Sequence, residues 1–156
     1  MTSSVLVAIR VPTSPARAFD VFTREIAAWW QPSDLFALTS EGDGALAFTG
    51  GEGGRLTATL PDGRCLEIGT ILSWQPGMHL AFTWCPPAFD IDQRTEVHVR
   101  FEAVGNETRV TVEHHGWAEI PREHVSRHGF PDAATLARAA DWWRSELQGL
   151  RRHLGG

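Results

Sequence analysis

The 156-residue sequence contains no lysine and no tyrosine; all fourteen of its basic residues are arginine. The missing lysine excludes Schiff-base chemistry, pyridoxal phosphate held through lysine and a Walker-type phosphate loop. The missing tyrosine excludes a tyrosine general acid. Cysteine is scarce: Cys65 and Cys85 are too few for a disulfide scaffold and fit a reducing compartment. No apolar run approaches the roughly 20 residues that span a bilayer. No basic segment followed by an apolar one opens the chain. The expectation is a cytoplasmic protein without membrane contact. A net charge of -5 also lacks the basic excess of a nucleic-acid binder.

Tryptophan is the opposite anomaly, with seven residues whose large rings must be buried or line something. Apolar residues at 42% and charged residues at 21% describe an ordinary globular chain. Residues 1–156 are expected to form one domain. Val5, Val7, Ile9 and Val11 alternate as a strand does. Ser14-Pro15 is an N-cap followed by proline at the first helical position. Thr23 is expected to cap a second short helix that carries Trp29 and Trp30. Residues 42–54 hold six glycines around a short strand. The Gly50-Gly51-Glu52-Gly53-Gly54 run precedes a strand and not a helix, so it is a hairpin and not a phosphate loop.

From residue 56 the period is two. Leu66, Ile68, Thr70, Leu72 and Trp74 are expected to share one face. Leu80, Phe82 and Trp84 share another. Thr95, Val97, Val99 and Phe101 alternate with Glu96, His98 and Arg100, and Thr108, Val110, Val112 and His114 alternate with Arg109, Thr111, Glu113 and His115. This is an antiparallel meander with one buried face. Asp132 then opens a long helix whose stripe is Leu136, Ala140, Trp143, Leu147, Leu150 and Leu154. The fold class is α+β: six to seven strands in a curved antiparallel sheet, two short helices after the first strand, and a long C-terminal helix across the concave face.

These pieces together resemble a known superfamily. They are Val11-Pro12-Thr13-Ser14-Pro15, the Trp29-Trp30 pair, Gly53-Gly54-Arg55, Gly69-Thr70-Ile71, Trp74-Gln75-Pro76, residues 95–101, Gly116-Trp117, and Trp143 with Leu147, Leu150 and Leu154. Their order and spacing are similar to the START-related, birch-pollen-allergen-like proteins of helix-grip fold. Within these, the chain is similar to the branch named after the activator of the heat-shock-protein-90 ATPase. The resemblance implies a pocket between sheet and helix but no shared catalytic motif. Fold alone does not assign the reaction.

The expected function is therefore binding of a small hydrophobic or aromatic molecule in that cavity. A polyketide cyclase/aromatase-like or hydrolase-type enzyme using the same cavity is an alternative, and it needs a cavity histidine or carboxylate with a shifted pKa. A chaperone-interacting module is a third reading. No cofactor or metal is expected. The candidate lining is His114, Trp74, Trp84, Phe82, Phe101, Val112 and Trp143. His114 is expected near a wet rim, titrating near neutrality. His124 and His128 have helical ligand spacing but lack the metalloprotease glutamate. Both cysteines are expected to be buried and Glu67 solvated. Trp142 is expected to be half exposed and, with Phe89 and Ile91, to favour a homodimer.

Overall fold

The computed structural model describes residues 4–31, 45–84, 95–116 and 132–155, with 132–135 as backbone only. Strict alternation makes β1 (Ser4–Val11), whose Val5, Val7 and Val11 turn inward. The Ser14 hydroxyl then accepts from the Arg17 N–H, and Pro15 begins α1 (Pro15–Arg24). Thr23 does not cap the next helix, as expected from the sequence. It lies inside α1, where its hydroxyl donates to the Phe19 carbonyl at 2.8 Å. Glu25 precedes α2 (Ile26–Trp29) without a side-chain cap. The Trp29 indole N–H points back at the Val21 and Phe22 carbonyls, fixing the angle between the two helices.

The strands that follow are β2 (Ala45–Thr49), β3 (Arg55–Thr59), β4 (Cys65–Gln75), β5 (His79–Trp84), β6 (Thr95–Val104) and β7 (Glu107–His115). They pair antiparallel in the order β1-β7-β6-β5-β4-β3-β2, so β1 and β2 are the two edges. The sheet is curved and open. Helix α3 (Asp132–His153) lies against it in the helix-grip arrangement, packing over β1 and beside α2. The helix ends in Gly155 at φ 90, the left-handed conformation that suits glycine after a helix.

One strand departs from the expected pattern. Pairing shifts register on both sides of β4, at Leu56/Thr57 opposite it and at Ile71/Ser73 within it. Each extra residue reverses the side-chain parity. Leu66 and Ile68 therefore face inward as expected, but Ile71 replaces Thr70 in the core and Leu72 is exposed. Trp74 regains the inner side, half-buried and edge-on to Phe19. Cys65 is exposed, contrary to expectation, because it lies at the strand's start on the phase opposite Leu66. Glu67 is on the same outer face and pairs with Arg55. Cys85, Phe89, Ile91, Trp117, His124 and His128, and the helical turn expected near 122–127, lie outside the described residues.

Gly69 marks the tightest approach in the sheet. A Cβ there would sit 1.8 Å from the Thr83 carbonyl oxygen, a backbone atom of β5. The Thr83 hydroxyl meanwhile accepts from the Thr70 N–H at 2.8 Å, locking the two strands at that point. Gly69→Ala is therefore expected to destabilise the fold by about 1–3 kcal/mol, the usual range for overpacking. Urea midpoints measure this. A loss below about 0.5 kcal/mol would show that β4 can yield from β5 freely.

Candidate functional site

The inner face of the sheet carries one aromatic network with two dense groups, joined through Phe22 and Trp29. At one end Phe19 touches Trp74 and Phe101 with ring centroids 5.1 and 5.3 Å apart, and Phe48 packs on Phe82 at 5.1 Å. At the other end Trp30 is the hub. Its ring lies 5.7 Å from Trp84, 5.5 Å from Trp142 and 5.7 Å from Trp143. The candidate lining residues are spread over both groups. Trp74, Phe82 and Phe101 belong to the first group, and Trp84, His114 and Trp143 to the second. Val112 is fully buried on β7, paired with Val7 and Val99 on its two neighbours.

His114 faces inward, but not onto a wet rim. It is 0% exposed. Trp143 Nε1 can only donate, and it does so to His114 Nδ1 at 3.0 Å. His114 Nε2 must then carry the proton and donate to the Thr95 hydroxyl oxygen at 2.7 Å. Thr95 donates in turn to the Trp84 carbonyl at 2.9 Å. The imidazole is held neutral in one tautomer. Burial, and secondarily the positive charge of neighbouring His115, push its pKa down to about 3. The expectation of a group that titrates near neutrality is overturned, because protonating Nδ1 would break the Trp143 bond inside the core.

Trp142 is also corrected. It is 6% exposed and packs on Trp84 and Trp143, so it offers no surface for self-association. The helix stripe is broader than its leucines suggest, taking in Ala139, Trp142 and Glu146. Glu146 is 1% exposed, and its Oε1 accepts from the Gln31 N–H at 2.9 Å, tying α3 to the end of α2. The sequence reading missed Trp30, Thr95 and Glu146 as partners of this cluster. Glu146 had a signal, since it falls three residues after Trp143 on the stripe itself.

A concavity lies elsewhere, on the seam between α3 and the β1 edge. It is a groove of about 330 Å³ lined by Leu6, Val7, Ile9 and Leu147, with Arg144 and Arg151 beside it. The run Leu6 to Ile9 contributes residues of both parities, so the strand's outer edge forms one wall. No other strand pairs with that edge among the described residues. Leu6 is 62% exposed there. The same residues contain no set of three or more His, Cys, Asp or Glu side chains placed to hold a metal. They also contain no helix long and apolar enough to cross a membrane.

This architecture can be compared with known proteins. Residues 12–155 match the family model described as activator of Hsp90 ATPase homolog 1-like protein. The chain belongs to that family. Among curated proteins, none matches the sequence. Solved structures with the same fold include protein MLL2253 from Mesorhizobium loti, at 19% identity and a TM-score of 0.66, covering 97% of this chain and 96% of that one. An HSP90 activator from Plasmodium falciparum is 18% identical with a TM-score of 0.65, covering 98% and 96%. The Aha1 dimer from Colwellia psychrerythraea is 16% identical with a TM-score of 0.64, covering 97% and 95%. Identities this low carry the fold and not the ligand or partner.

The locked imidazole has a consequence for acid stability. His114 has its folded pKa depressed below the ordinary 6.5, to about 3. Below pH 6.5 the unfolded chain binds a proton that the folded chain refuses. Stability is therefore present above about pH 6.5 and is lost progressively as pH falls toward 3. Between pH 7 and 5 this one group should remove about 2 kcal/mol. Urea titrations of the parent and of His114→Gln at both pH values isolate the effect. The parent should lose about 2 kcal/mol more than the variant over this interval. Equal losses would show that His114 is charged or solvated in the folded state.

Proposed function

We propose that the chain binds a small molecule with an apolar, often aromatic, body and an anionic group, in the groove between the sheet edge and α3. The observation that carries this is the groove itself: about 330 Å³, with exposed Leu6 and half-buried Ile9 on the strand side and two guanidiniums and Gln148 on the helix side. That volume lies in the range of small-ligand sites, and the polar helix side would meet a ligand's anionic group while Leu6 and Ile9 meet its apolar body. Arg144 and Arg151 are seven residues apart on α3, two turns along one helix face. Their spacing suits an elongated ligand whose anionic end meets either. Arg144 is shared with Asp141 at 2.8 Å, an exposed pair that a ligand anion can replace at little cost. The helix-grip family fold supports the same general reading, a ligand held between sheet and helix. For the enzyme alternative, both ring nitrogens of His114 are already engaged, by Trp143 and Thr95.

Anilinonaphthalene sulfonate, an aromatic body with one anionic group, is a suitable probe. Its emission should rise saturably on titration. Arg144→Ala with Arg151→Ala should weaken binding about 10-fold, roughly 1.4 kcal/mol. Trp84→Phe, in the packed cluster, should leave it unchanged. No saturable binding would sink the groove reading. Binding lost in Trp84→Phe and kept in the arginine variant would move the ligand into the indole cluster.

The family description and the Plasmodium neighbour support a second reading, a protein-contacting module that acts on Hsp90. Stimulation of Hsp90 ATPase turnover by the purified chain is the check. The homodimer expectation now rests on the Colwellia neighbour, a dimer, and light scattering checks it.

A further inference from the structure

The outer face of the sheet carries a histidine pair that neither the interior cluster nor the groove uses. His79 begins β5 and His98 lies on β6. Their strands pair Ala81 with His98 and His79 with Arg100, so the two histidines are diagonal neighbours on the outward side. His79 Nε2 and His98 Nδ1 face each other at 3.4 Å. Each ring is held by its other nitrogen. His79 Nδ1 is 3.0 Å from the Ser73 hydroxyl, and His98 Nε2 is 3.3 Å from the Glu96 carboxylate.

We infer that His79 Nε2 and His98 Nδ1 form a two-histidine site for a divalent zinc-class cation, with water completing the shell. Three observations converge on it. Two nitrogens bound to one tetrahedral zinc at about 2.0–2.1 Å lie about 3.4 Å apart, the separation found here. A metal-ligating histidine characteristically gives its other N–H to a carboxylate or similar acceptor, which fixes the ring and the tautomer. Glu96 does this for His98, and Ser73 can do it for His79. Both rings are also only partly buried, so a cation reaches them with most of its hydration intact.

The protons balance simply. In the metal-free chain, His79 Nε2–H donates to His98 Nδ1, and Ser73 donates to His79 Nδ1. On binding, the His79 proton moves from Nε2 to Nδ1, where the rotated Ser73 hydroxyl accepts it. Two neutral imidazoles then ligate without net proton release. The charged groups around the site are of both signs. Arg100, beside His79, opposes a cation, while Glu96 and Glu113 on β6 and β7 favour one. His115 lies with its ring centroid 5.6 Å from that of His98, but its Nε2 is 3.1 Å from Glu113. Two protein ligands and a nearby arginine place the site among modest-affinity ones, not structural zinc centres.

The test uses the full chain in a His124→Ala/His128→Ala background, which removes the other histidine pair of ligand spacing. Zinc is titrated calorimetrically at about pH 7.5, where ordinary histidines are neutral. One ion per chain is expected. His79→Ala and His98→Ala should each weaken binding at least about 10-fold, and Glu96→Gln should weaken it by about the same factor through ring orientation. His115→Ala should leave it unchanged. Ring nitrogen NMR should show zinc-dependent shifts at His79 and His98. The His79, His98 and Glu96 variants, all on the outer face, should keep the background's urea midpoint. Absence of saturable binding up to about 1 mM zinc would overturn the site, that being the edge of weak specific affinity. Equal affinity in the parent and the His79→Ala and His98→Ala variants would overturn it as well.

Discussion

The contact on which the packing of helix against sheet depends is the polar relay from Trp143 through His114 and Thr95 to the Trp84 carbonyl. It joins α3 to β7, β6 and β5 in three hydrogen bonds. All its side chains are buried, so no water stands ready to replace a lost partner. Leaving one such group unpaired costs about 1–3 kcal/mol, more than an average hydrogen bond contributes. The relay therefore acts as a registration device. Apolar contact alone would let α3 slide or rotate over the valines of the sheet with little penalty. The indole N–H is received by His114 Nδ1, and this fixes both the rotation and the height of the helix.

A second tie works at the other flank. The Glu146 carboxylate accepts from the Gln31 N–H, and a Cβ on Gly149 would come within 2.9 Å of the Trp29 carbonyl. Glycine at that position lets α3 approach α2 closely enough for Trp30 to enter among Trp84, Trp142 and Trp143. The tilted and edge-on rings found there are the favourable aromatic geometries, each worth about 0.5–1.5 kcal/mol beyond burial. The polar ties orient these elements, and the indoles pack between them. Many large side chains can fill the space once the helix is placed.

The strands were legible wherever parity is unbroken. In β1, β6 and β7 the two-residue period assigns every face correctly, including that of His114. In β4 it failed at Leu72, because a bulge leaves no mark in a run where both parities are apolar. Parity gives direction and not surroundings, which is why His114 was placed inside but expected to be wet. Its partners are Thr95, nineteen residues away, and Trp143, twenty-nine away. Only the folded register brings them together. Trp142 was misjudged for a related reason. A helix clasped by a sheet on one side and α2 on another buries a wider arc than a single stripe. The groove at the β1 edge had no sequence signal, since it arises from the relative placement of two elements and not from a motif.

The adjacent histidines 114 and 115 show how strongly that parity governs chemistry. One residue apart on the same strand, they face opposite sides of the sheet. His114 loses hydration and stays neutral far below its ordinary range. His115 keeps solvent and a carboxylate neighbour in Glu113. A charge on His115 disfavours a second one on His114 directly behind it, so the outer face helps keep the inner imidazole in the form the relay requires. The same logic spreads His79 and His98 over the outer side, where partial hydration leaves imidazole nitrogens able to exchange partners. Deleting one residue just before 114 would reverse these assignments together. It would place a carboxylate-paired histidine against Trp143 and expose the imidazole that anchors the helix. The strict alternation of β7 is thus a constraint on the whole molecule, because it keeps a charge-capable face and a charge-intolerant one on opposite sides of a single layer of backbone.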